Sequence, residues 1–346
     1  MSSKLATILP KFKSTQLKQL AFLCGVKGSG RKAELVERLR AIADARLAGR
    51  LAKKGKLILS IDLGIRNLGY SLLAPAAPLA SPEHLSIADL RRPPRIHLHA
   101  WQRREVLELE SETIPLDPER FSPASLAVAA DRLVRRDLLP LKPTHVLIER
   151  QRWRSGGAAA VQEWTLRVNT LEAMLHASLR TLRELGHWKG EIVSVAPDRV
   201  TRFWPSPSEE ENFPKVKRSR STKGVVGKVR KEAKSQQSSK KHKIGVLTSW
   251  LAKDDSIILP ANSDAEEAVK RFRTMLTGAR RSKVTEESLV REAGSRKLDD
   301  LTDCLLQGVA WLKWEENQTL LLREEGLMEL LDSTILDEQE ALDDDV

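Results

Sequence analysis

The chain has 346 residues, of which 41% are hydrophobic and 30% charged, and its formal net charge is +11 at pH 7. These values predict one sizeable globular domain with a smaller module, and no apolar run approaches the roughly 18 residues of a membrane span. The excess of lysine and arginine favours a polyanionic partner, although a solvated basic surface would have the same composition. The two cysteines, Cys24 and Cys304, form neither a disulfide framework nor a zinc pattern, and their apolar neighbours predict buried side chains in a reducing compartment.

The N-terminal region is predicted to form a helical module at residues 10–47, after an extension at residues 1–9. Thr15 is a candidate cap for a first helix, the glycines of VKGSGRK interrupt it, and a second helix follows. Two short helices around a glycine-containing turn resemble the SAP DNA-binding motif, with Lys27, Arg31 and Lys32 at the turn. The alternative is a helical hairpin that only packs on the main domain. The lack of acidic residues before Glu34 weakly resembles a mitochondrial transit peptide.

The main domain is predicted at residues 56–315. KLILSIDLG, LGYSLLA and IHLHAWQRREV are candidate strands in a meander, and a helix begins after Ser122 and ends near Pro140. The apolar THVLIER is a further strand, a long helix covers much of residues 158–185, and EIVSVAP precedes the remaining helices. This order predicts an α/β fold with an RNase H-like mixed five-stranded sheet flanked by helices.

A basic insertion at residues 205–243 interrupts the pattern of the main domain. Its segment KVKRSRSTKGVVGKVRKEAKSQQSSKKHK has one acidic residue, Glu232, and cannot bury a core, so it is predicted to be mobile. A contact with DNA is favoured over a merely solvated insertion. The cations predicted to make this contact are Lys217, Arg218, Arg220 and Lys223. Residues 316–346, which end in EQEALDDDV, are predicted to be an acidic, solvated tail.

Acidic residues stand at three places in the main domain. Asp62 ends the first predicted strand and Glu149 ends the apolar run of THVLIER, although each alone could be a turn former or a solvent-facing edge residue. In RKLDDLTDCLLQG, Asp303 lies four residues after Asp299 and three after Asp300, so all three can be neighbours on one helix. Like charges so placed repel unless a cation lies between them, while an aspartate near a helix start can instead be a cap.

Carboxylate oxygens gathered from two strands and a late helix suit Mg²⁺ or Mn²⁺. Two such ions about 4 Å apart can activate a water and stabilise the leaving oxygen of a phosphodiester, so no histidine general base is required. The predicted catalytic residues are Asp62, Glu149, Asp299, Asp300 and Asp303. The predicted metal ligands are Asp62, Glu149, Asp300 and Asp303.

Three motifs resemble those of one family. Residues 62–70 (DLGIRNLGY) look like the first motif of RuvC-type resolvases, and residues 149–155 (ERQRWRS) look like the ERQR-aromatic-R element of their fungal mitochondrial branch. Residues 297–303 (KLDDLTD) resemble the final acidic motif of that branch, which also has an N-terminal SAP-like module. The chain therefore resembles the fungal mitochondrial Holliday-junction resolvases over most of residues 10–315, and the long basic insertion is a departure from their pattern.

The resemblance implies a function, cofactors and partners. It implies a homodimer, formed in part by the helix after Glu149, that nicks two opposing strands of a four-way DNA junction symmetrically. It also implies two Mg²⁺ or Mn²⁺ ions in each active site and a mitochondrial location. Asp62, Glu149 and Asp303 carry over as metal ligands, and the fourth is Asp300 or Asp299.

Basic and aromatic residues beside the carboxylates are candidates for holding DNA. Arginine forks suit phosphate oxygens, and Trp153 could stack on an unpaired base at the branch point. The alternative is that Trp153 covers the core and that the arginines pair with nearby acids. The residues predicted to contact DNA here are Arg66, Asn67, Arg150, Gln151, Arg152, Trp153 and Arg154.

Two other functions remain open from the sequence alone. An RNase H-like nuclease acting on RNA–DNA hybrid or flap DNA would have the same carboxylates, because substrate choice depends on the surroundings of the site. A non-catalytic DNA-binding scaffold could keep the fold, but the presence of every carboxylate argues against it.

Overall fold

A computed structural model describes residues 2–49, 55–76, 90–107, 121–151, 163–204, 240–251, 257–281, 287–322 and 326–327. Seven residues that the sequence assigns to DNA binding lie outside these ranges: Arg152, Trp153, Arg154, Lys217, Arg218, Arg220 and Lys223. Among the helices described, none is long and apolar enough to cross a membrane.

The described chain contains helices and strands in the predicted order. The helices are α1 (Ser2–Ile8), α2 (Ser14–Leu23), α3 (Lys32–Gly49), α4 (Pro123–Arg132), α5 (Glu163–Glu184), α6 (Pro197–Phe203), α7 (residues 240–251), α8 (Ser263–Arg281) and α9 (Glu287–Leu320). The strands are β1 (Ile58–Asp62), β2 (Leu68–Pro75), β3 (Ile96–Arg104), β4 (His145–Glu149), β5 (Glu191–Val195) and β6 (Ile258–Pro260).

The strands form one mixed sheet in the order β5-β4-β1-β2-β3-β6. β1, β2 and β3 are an antiparallel meander, whereas β4, β5 and β6 pair in parallel with their neighbours. The predicted mixed sheet is confirmed, but the prediction of five strands is wrong. The sixth strand is three residues long and ends at Pro260, so it is too short to show the alternation that identifies a strand in a sequence.

The two faces of the sheet pack against different helices. Leu59 and Ile61 of β1 lie in a hydrophobic cluster with residues of α4 and α5. Ile58, on the opposite side of the pleat, belongs to a second cluster with residues of α6 to α9. Because side chains alternate along a strand, Asp62 shares the face of Ile58, which is the face that α9 covers.

The N-terminal helices are docked firmly on the end of α9. Asn317 Nδ2 donates a hydrogen bond to the Leu23 carbonyl at 2.8 Å, and Gln318 Nε2 donates one to the Cys24 carbonyl at 2.8 Å. Gly25 has a φ of +67°, and a Cβ there would lie 2.3 Å from the Trp314 ring. Only glycine allows this approach without displacement.

The docked module extends beyond the boundaries expected from the sequence. Leu5 and Leu9 are buried in the same cluster as Leu321 and Leu322. The predicted N-terminal extension and the first residues of the predicted tail therefore pack together, and α9 runs through residue 315 without interruption. Cys24 and Cys304 are both free and buried, as the sequence predicts.

The end of the predicted basic insertion is helical. Residues 240–243, the last four of the predicted insertion, begin α7. His242 Nε2 lies 3.1 Å from the carbonyl oxygen of Trp204, which follows α6. Lys240 and Lys243 pair with Asp299 and Asp303 of α9, and a segment that looked uniformly basic gave no indication of these contacts.

Candidate active site

Asp62 and Glu149 lie side by side at the carboxyl ends of two neighbouring parallel strands. The register pairs Ile61 with Ile148, so the next residue on each strand projects in the same direction. Burial raises the pKa of Asp62 well above its ordinary value, and the charge of Glu149 and a side-chain hydrogen bond with it raise that pKa further. Asp303 and Asp300 add to the same effect. The carboxylates from the two strands and from α9 therefore converge.

Specific contacts fix how α9 lies across the sheet. Trp101 Nε1 of β3 donates to the Leu301 carbonyl at 2.8 Å. Gln307 Nε2 donates to Ser60 Oγ of β1 at 3.1 Å. These two bonds tie points six residues apart on α9 to two strands of the sheet, so they determine which face of α9 meets Asp62.

Gly69 allows α9 to approach the sheet at the site. It pairs with Asp62 across the β1–β2 hairpin. A Cβ at Gly69 would lie 2.4 Å from the Asp300 carbonyl oxygen, so any other residue would push the helix away. Gly69, the second glycine of the DLGIRNLGY motif, is therefore needed for close packing of α9 at the site.

The three aspartates of α9 have different surroundings. Burial raises the pKa of Asp300 to about 6 although Arg103 opposes it, and burial raises the pKa of Asp303 to about 6 although Lys243 opposes it. Asp299 is buried and pairs with Lys240, with an Nζ–Oδ2 distance of 2.7 Å. All three lie well inside a helix that begins at Glu287, so the alternative that one of them is a helix cap is wrong.

Two cations that the sequence did not suggest lie directly on the carboxylates. Lys243 Nζ is 2.9 Å from Asp303 Oδ1, and Arg103 Nε is 3.0 Å from Asp300 Oδ2. The signal available in the sequence was the pair of arginines, Arg103 and Arg104, at the end of β3. Lys243 lies inside the segment that the sequence predicts to be mobile. Asp300 and Asp303 thus have counter-charges in the absence of metal.

The carboxylate oxygens of the candidate site suit a hard divalent cation. As the side chains stand, no three acidic, histidine or cysteine residues of the described chain adopt a metal-ligating arrangement. Asp300 and Asp303 instead contact Arg103 and Lys243. Nevertheless the pKa of Asp62 is raised, because this side chain is desolvated and surrounded by like charge. A bound cation would lower that pKa by favouring the charged carboxylate. An oxygen-only donor set of this kind matches Mg²⁺ or Mn²⁺.

The described DNA-binding candidates lie on two sides of the carboxylates. Arg66 and Asn67 line a cleft of about 450 Å³ in the turn after β1. The further cations of this cleft are Arg103, Arg104 and Arg132. Asn67 Oδ1 accepts a hydrogen bond from Arg103, so the cleft adjoins Asp300. Arg66 lies over the Trp164 ring, 5.6 Å from its centroid.

The remaining candidates lie on the other side. Arg150 is exposed and lines a second cleft together with Lys27. The backbone N–H of Gln151 donates to Glu172 Oε2 of α5 at 3.0 Å, so the chain after Glu149 is anchored at this point. Arg31 and Lys32 are exposed at the start of α3 but do not line either cleft.

A mixed sheet with carboxylates at the ends of its first and fourth strands and on a late helix defines the class of RNase H-like nucleases. The family described as "Mitochondrial resolvase Ydc2 / RNA splicing MRS1" matches residues 58–321. The chain belongs to this family.

Two relatives and one solved structure support the assignment. "Cruciform cutting endonuclease 1, mitochondrial" of Schizosaccharomyces pombe is 31% identical over 194 residues, which are 55% of this chain and 66% of that protein, just under two thirds. The Saccharomyces cerevisiae protein of the same name is 25% identical over 354 residues, covering 94% of this chain and 86% of the relative. The crystal structure of the yeast mitochondrial Holliday junction resolvase Ydc2 aligns with a TM-score of 0.52 and 24% identity, over 89% of this chain and 95% of that one. The predicted family and RNase H-like fold are confirmed.

Proposed function

We propose that this chain is a mitochondrial, metal-dependent endonuclease that resolves four-way DNA junctions by paired symmetrical nicks. The observation that carries the proposal is the convergence of Asp62 and Glu149 with Asp300 and Asp303 at one end of the sheet. The family supports the same conclusion, because relatives bear the names cruciform cutting endonuclease and Holliday junction resolvase.

The proposed metal ligands are Asp62, Glu149, Asp300 and Asp303, which would hold two Mg²⁺ or Mn²⁺ ions. When bound, the ions supply the charge that activates a water and stabilises the leaving oxygen of the phosphodiester. We assign the fourth ligand to Asp300 rather than Asp299, because the charge of Asp300 is among the causes that raise the pKa of Asp62, whereas the Asp299 carboxylate lies 2.7 Å from Lys240 Nζ. Arg103 and Lys243 would release Asp300 and Asp303 to the metal and would then be available to phosphate oxygens.

The DNA would cross the edge of the sheet where the carboxylates lie. Arg66 and Asn67 border the site on one side and Arg150 borders it on the other, so a strand lying over the site would meet cations in both directions. Arg forks bind phosphate oxygens in pairs, which would hold the scissile phosphate in register with the carboxylates.

A homodimer would supply the second active site that paired nicks require. Trp164 and Leu166, at the start of α5, are 40% and 47% exposed, although both are large and apolar. Residues two apart on a helix lie about 200° apart, so these are two separate exposed apolar side chains at one end of α5, and a partner packed against that end could cover them. A two-fold dimer through the start of α5 would present two equivalent sites to a two-fold symmetric junction.

A second candidate function is RNA binding without cleavage, because the family description also names RNA splicing. A scaffold of this kind would not need desolvated carboxylates that repel one another. Nucleases for RNA–DNA hybrid or flap DNA share the same site, and only the substrate separates them from a junction resolvase.

The test compares cleavage of a labelled four-way junction with linear duplex, RNA–DNA hybrid and flap DNA, in Mg²⁺, in Mn²⁺ and in EDTA. We expect symmetrical cuts in the junction alone and only with metal. Asp62→Asn, Glu149→Gln and Asp303→Asn should each abolish cleavage and leave the gel-shift affinity in EDTA nearly unchanged, since the basic surface is intact. Preferential cutting of hybrid or flap would assign the alternative substrate, and binding without any metal-dependent cutting would assign the scaffold function.

A further inference from the structure

A groove between the N-terminal helices and the catalytic domain concentrates positive charge. Its volume is about 650 Å³. The charged residues that line it are Lys18, Lys27, Arg150, Asp198, Arg199 and Arg202. We call it the inter-module groove. Five cations against one carboxylate make it suited to a polyanion, because the concave surface focuses the potential of the cations.

Arg199 lies at the contact between the two parts of the protein. Its Nη1 donates a hydrogen bond to the Gly25 carbonyl at 2.8 Å, so the N-terminal module holds this side chain in place. Burial lowers the pKa of Arg199, and the positive charge of Arg150 lowers it further against the opposing effect of Asp198. Asp198 itself is paired with Arg202. Asp198 therefore offsets one of the five positive charges, and the groove keeps a net positive charge.

Three cations at the rim of the groove lack a close partner among the described residues, although the charge of Arg150 also acts on Glu172, where it opposes the rise in pKa that burial causes. Within the ranges that the structure describes, the side chains of Lys18, Lys27 and Arg150 form no hydrogen bond or ion pair. All three are exposed. The turn that carries Lys27 is nevertheless fixed, because Arg38 donates to the carbonyl oxygens of Lys27 and Ser29 at 3.0 and 2.5 Å.

The groove is continuous with the active site. Arg150 directly follows Glu149, and its backbone N–H donates to the Val195 carbonyl of β5 at 2.8 Å. Helix α6, which carries the two other arginines of the groove, begins two residues after β5. A chain of phosphates leaving Glu149 would thus pass Arg150 and then reach α6 and the turn of the N-terminal module.

We propose that the inter-module groove binds the sugar–phosphate backbone of one DNA arm as it leaves the active site, so that the module and the catalytic domain together fix the direction of that arm. The inference rests on the proposed junction-cleaving function. A module that bound DNA independently would add affinity for any duplex. A groove that begins at Arg150 adds affinity for DNA whose scissile strand already lies against Glu149.

The position of the contact follows from the sheet. Arg150 borders the carboxylates, whereas α6 follows the neighbouring strand β5; since adjacent strands are about 4.8 Å apart, the far side of the groove, with the reach of a side chain, lies roughly 10–17 Å from the carboxylates. Successive phosphates of one strand advance about 3.4 Å along a duplex. The phosphates held in the groove should therefore lie about three to five nucleotides from the cut.

The experiment uses the full chain with the double variant Lys18→Gln/Lys27→Gln. The matched control is Lys11→Gln/Lys13→Gln, which removes the same charge from exposed positions of the same module outside the groove. Binding to a four-way junction in EDTA is measured at several salt concentrations, together with hydroxyl-radical footprints. The groove variant should bind about tenfold more weakly, with a salt slope smaller by about 1–2, because two phosphate contacts are lost. Its footprint should lose protection about three to five nucleotides from the cut on one arm, whereas the control keeps it.

The outcomes separate this inference from the proposed function. Equal affinity and equal footprints for the two double variants would overturn the groove as a binding site, while metal-dependent cutting by the wild-type protein would still stand. Loss of protection spread along the arms would show that the module binds DNA independently, which also overturns the inference. If the wild-type chain binds the junction and does not cut it, the proposed function fails, and the footprint still decides where the arm lies.

Discussion

The like charges at the active site should make Asp62 a destabilising residue in the metal-free protein. Burial raises the pKa of Asp62, and the neighbouring carboxylates raise it in the same direction. Asp303 shows the scale of the effect, because raising its pKa from 3.8 to about 6 corresponds to about 3 kcal/mol of free energy. Asp62→Asn removes one charge and keeps the shape of the side chain. We expect this variant to gain about 1–3 kcal/mol in EDTA at neutral pH, or roughly 2–8 °C in Tm.

The gain should depend on pH with a defined sign. The folded-state pKa of Asp62 is higher than the unfolded value, so the folded protein holds the proton more tightly. The destabilisation is therefore present above the folded-state pKa and disappears as the pH falls toward the unfolded value near 3.8. The difference in Tm between Asp62→Asn and wild type should be large at about pH 7.5 and small at about pH 4.5.

Thermal unfolding in EDTA and in Mg²⁺, with junction cleavage on the same samples, checks this prediction. Asp131→Asn is the control, because Asp131 is exposed and, among the described residues, its ion pair is with Arg135, one helical turn away. Mg²⁺ should stabilise the wild type and have little effect on Asp62→Asn. An Asp62→Asn variant that is less stable than wild type in EDTA at neutral pH, or that cuts junctions normally, would refute the reasoning.

Three further predictions follow from the packing around the site and on α5. Asp300→Asn should reduce the cleavage rate by more than about 100-fold, because loss of a direct metal ligand costs more than loss of an outer contact, which typically costs 10–100-fold. The cleavage rate of Asp299→Asn should stay within about threefold of wild type. Similar rates for the two variants in single-turnover assays would contradict the assignment. Gly69→Ala should lose about 1–3 kcal/mol of stability in denaturant unfolding and should also impair cleavage, because the Cβ of the alanine would lie 2.4 Å from the Asp300 carbonyl oxygen. Full activity of this variant would show that α9 can shift without consequence for cleavage. We expect the wild type to sediment as a dimer and Trp164→Glu/Leu166→Glu to sediment as a monomer; an unchanged sedimentation coefficient would place the interface elsewhere.

The strand positions of the site could be predicted from the sequence because they depend on local patterns. Asp62 and Glu149 each follow an apolar run, and a parallel pair of such strands brings their ends together. The choice between Asp299 and Asp300 could not be made, because both share a helix with Asp303 at suitable spacing. That choice depends on the rotation of α9 about its axis, which is set by contacts with residues more than 190 positions away, such as that of Trp101 with Leu301.

The parts that escaped prediction all depend on long-range contacts. β6 is recognisable only when it pairs with β3, because three residues have no periodicity of their own. Lys243 looked like one more charge in a basic segment, yet α7 places it against Asp303. The docking of the N-terminal module depends on Gly25 and Trp314, which are separated by nearly the whole catalytic domain. The sequence pattern gives no indication that these two residues are in contact.

The contact between His242 and Trp204 joins the two ends of the chain segment at residues 205–239. Lys240 and Lys243 fix the second end on α9, and the packing of Trp204 against Trp250 fixes the first, with ring centroids 4.8 Å apart. Once two ends are held together, doubling the length of the segment between them costs only about 0.6 kcal/mol in loop entropy. A change in the number of residues between Trp204 and Lys240 would therefore cost little free energy and would leave the carboxylates in place.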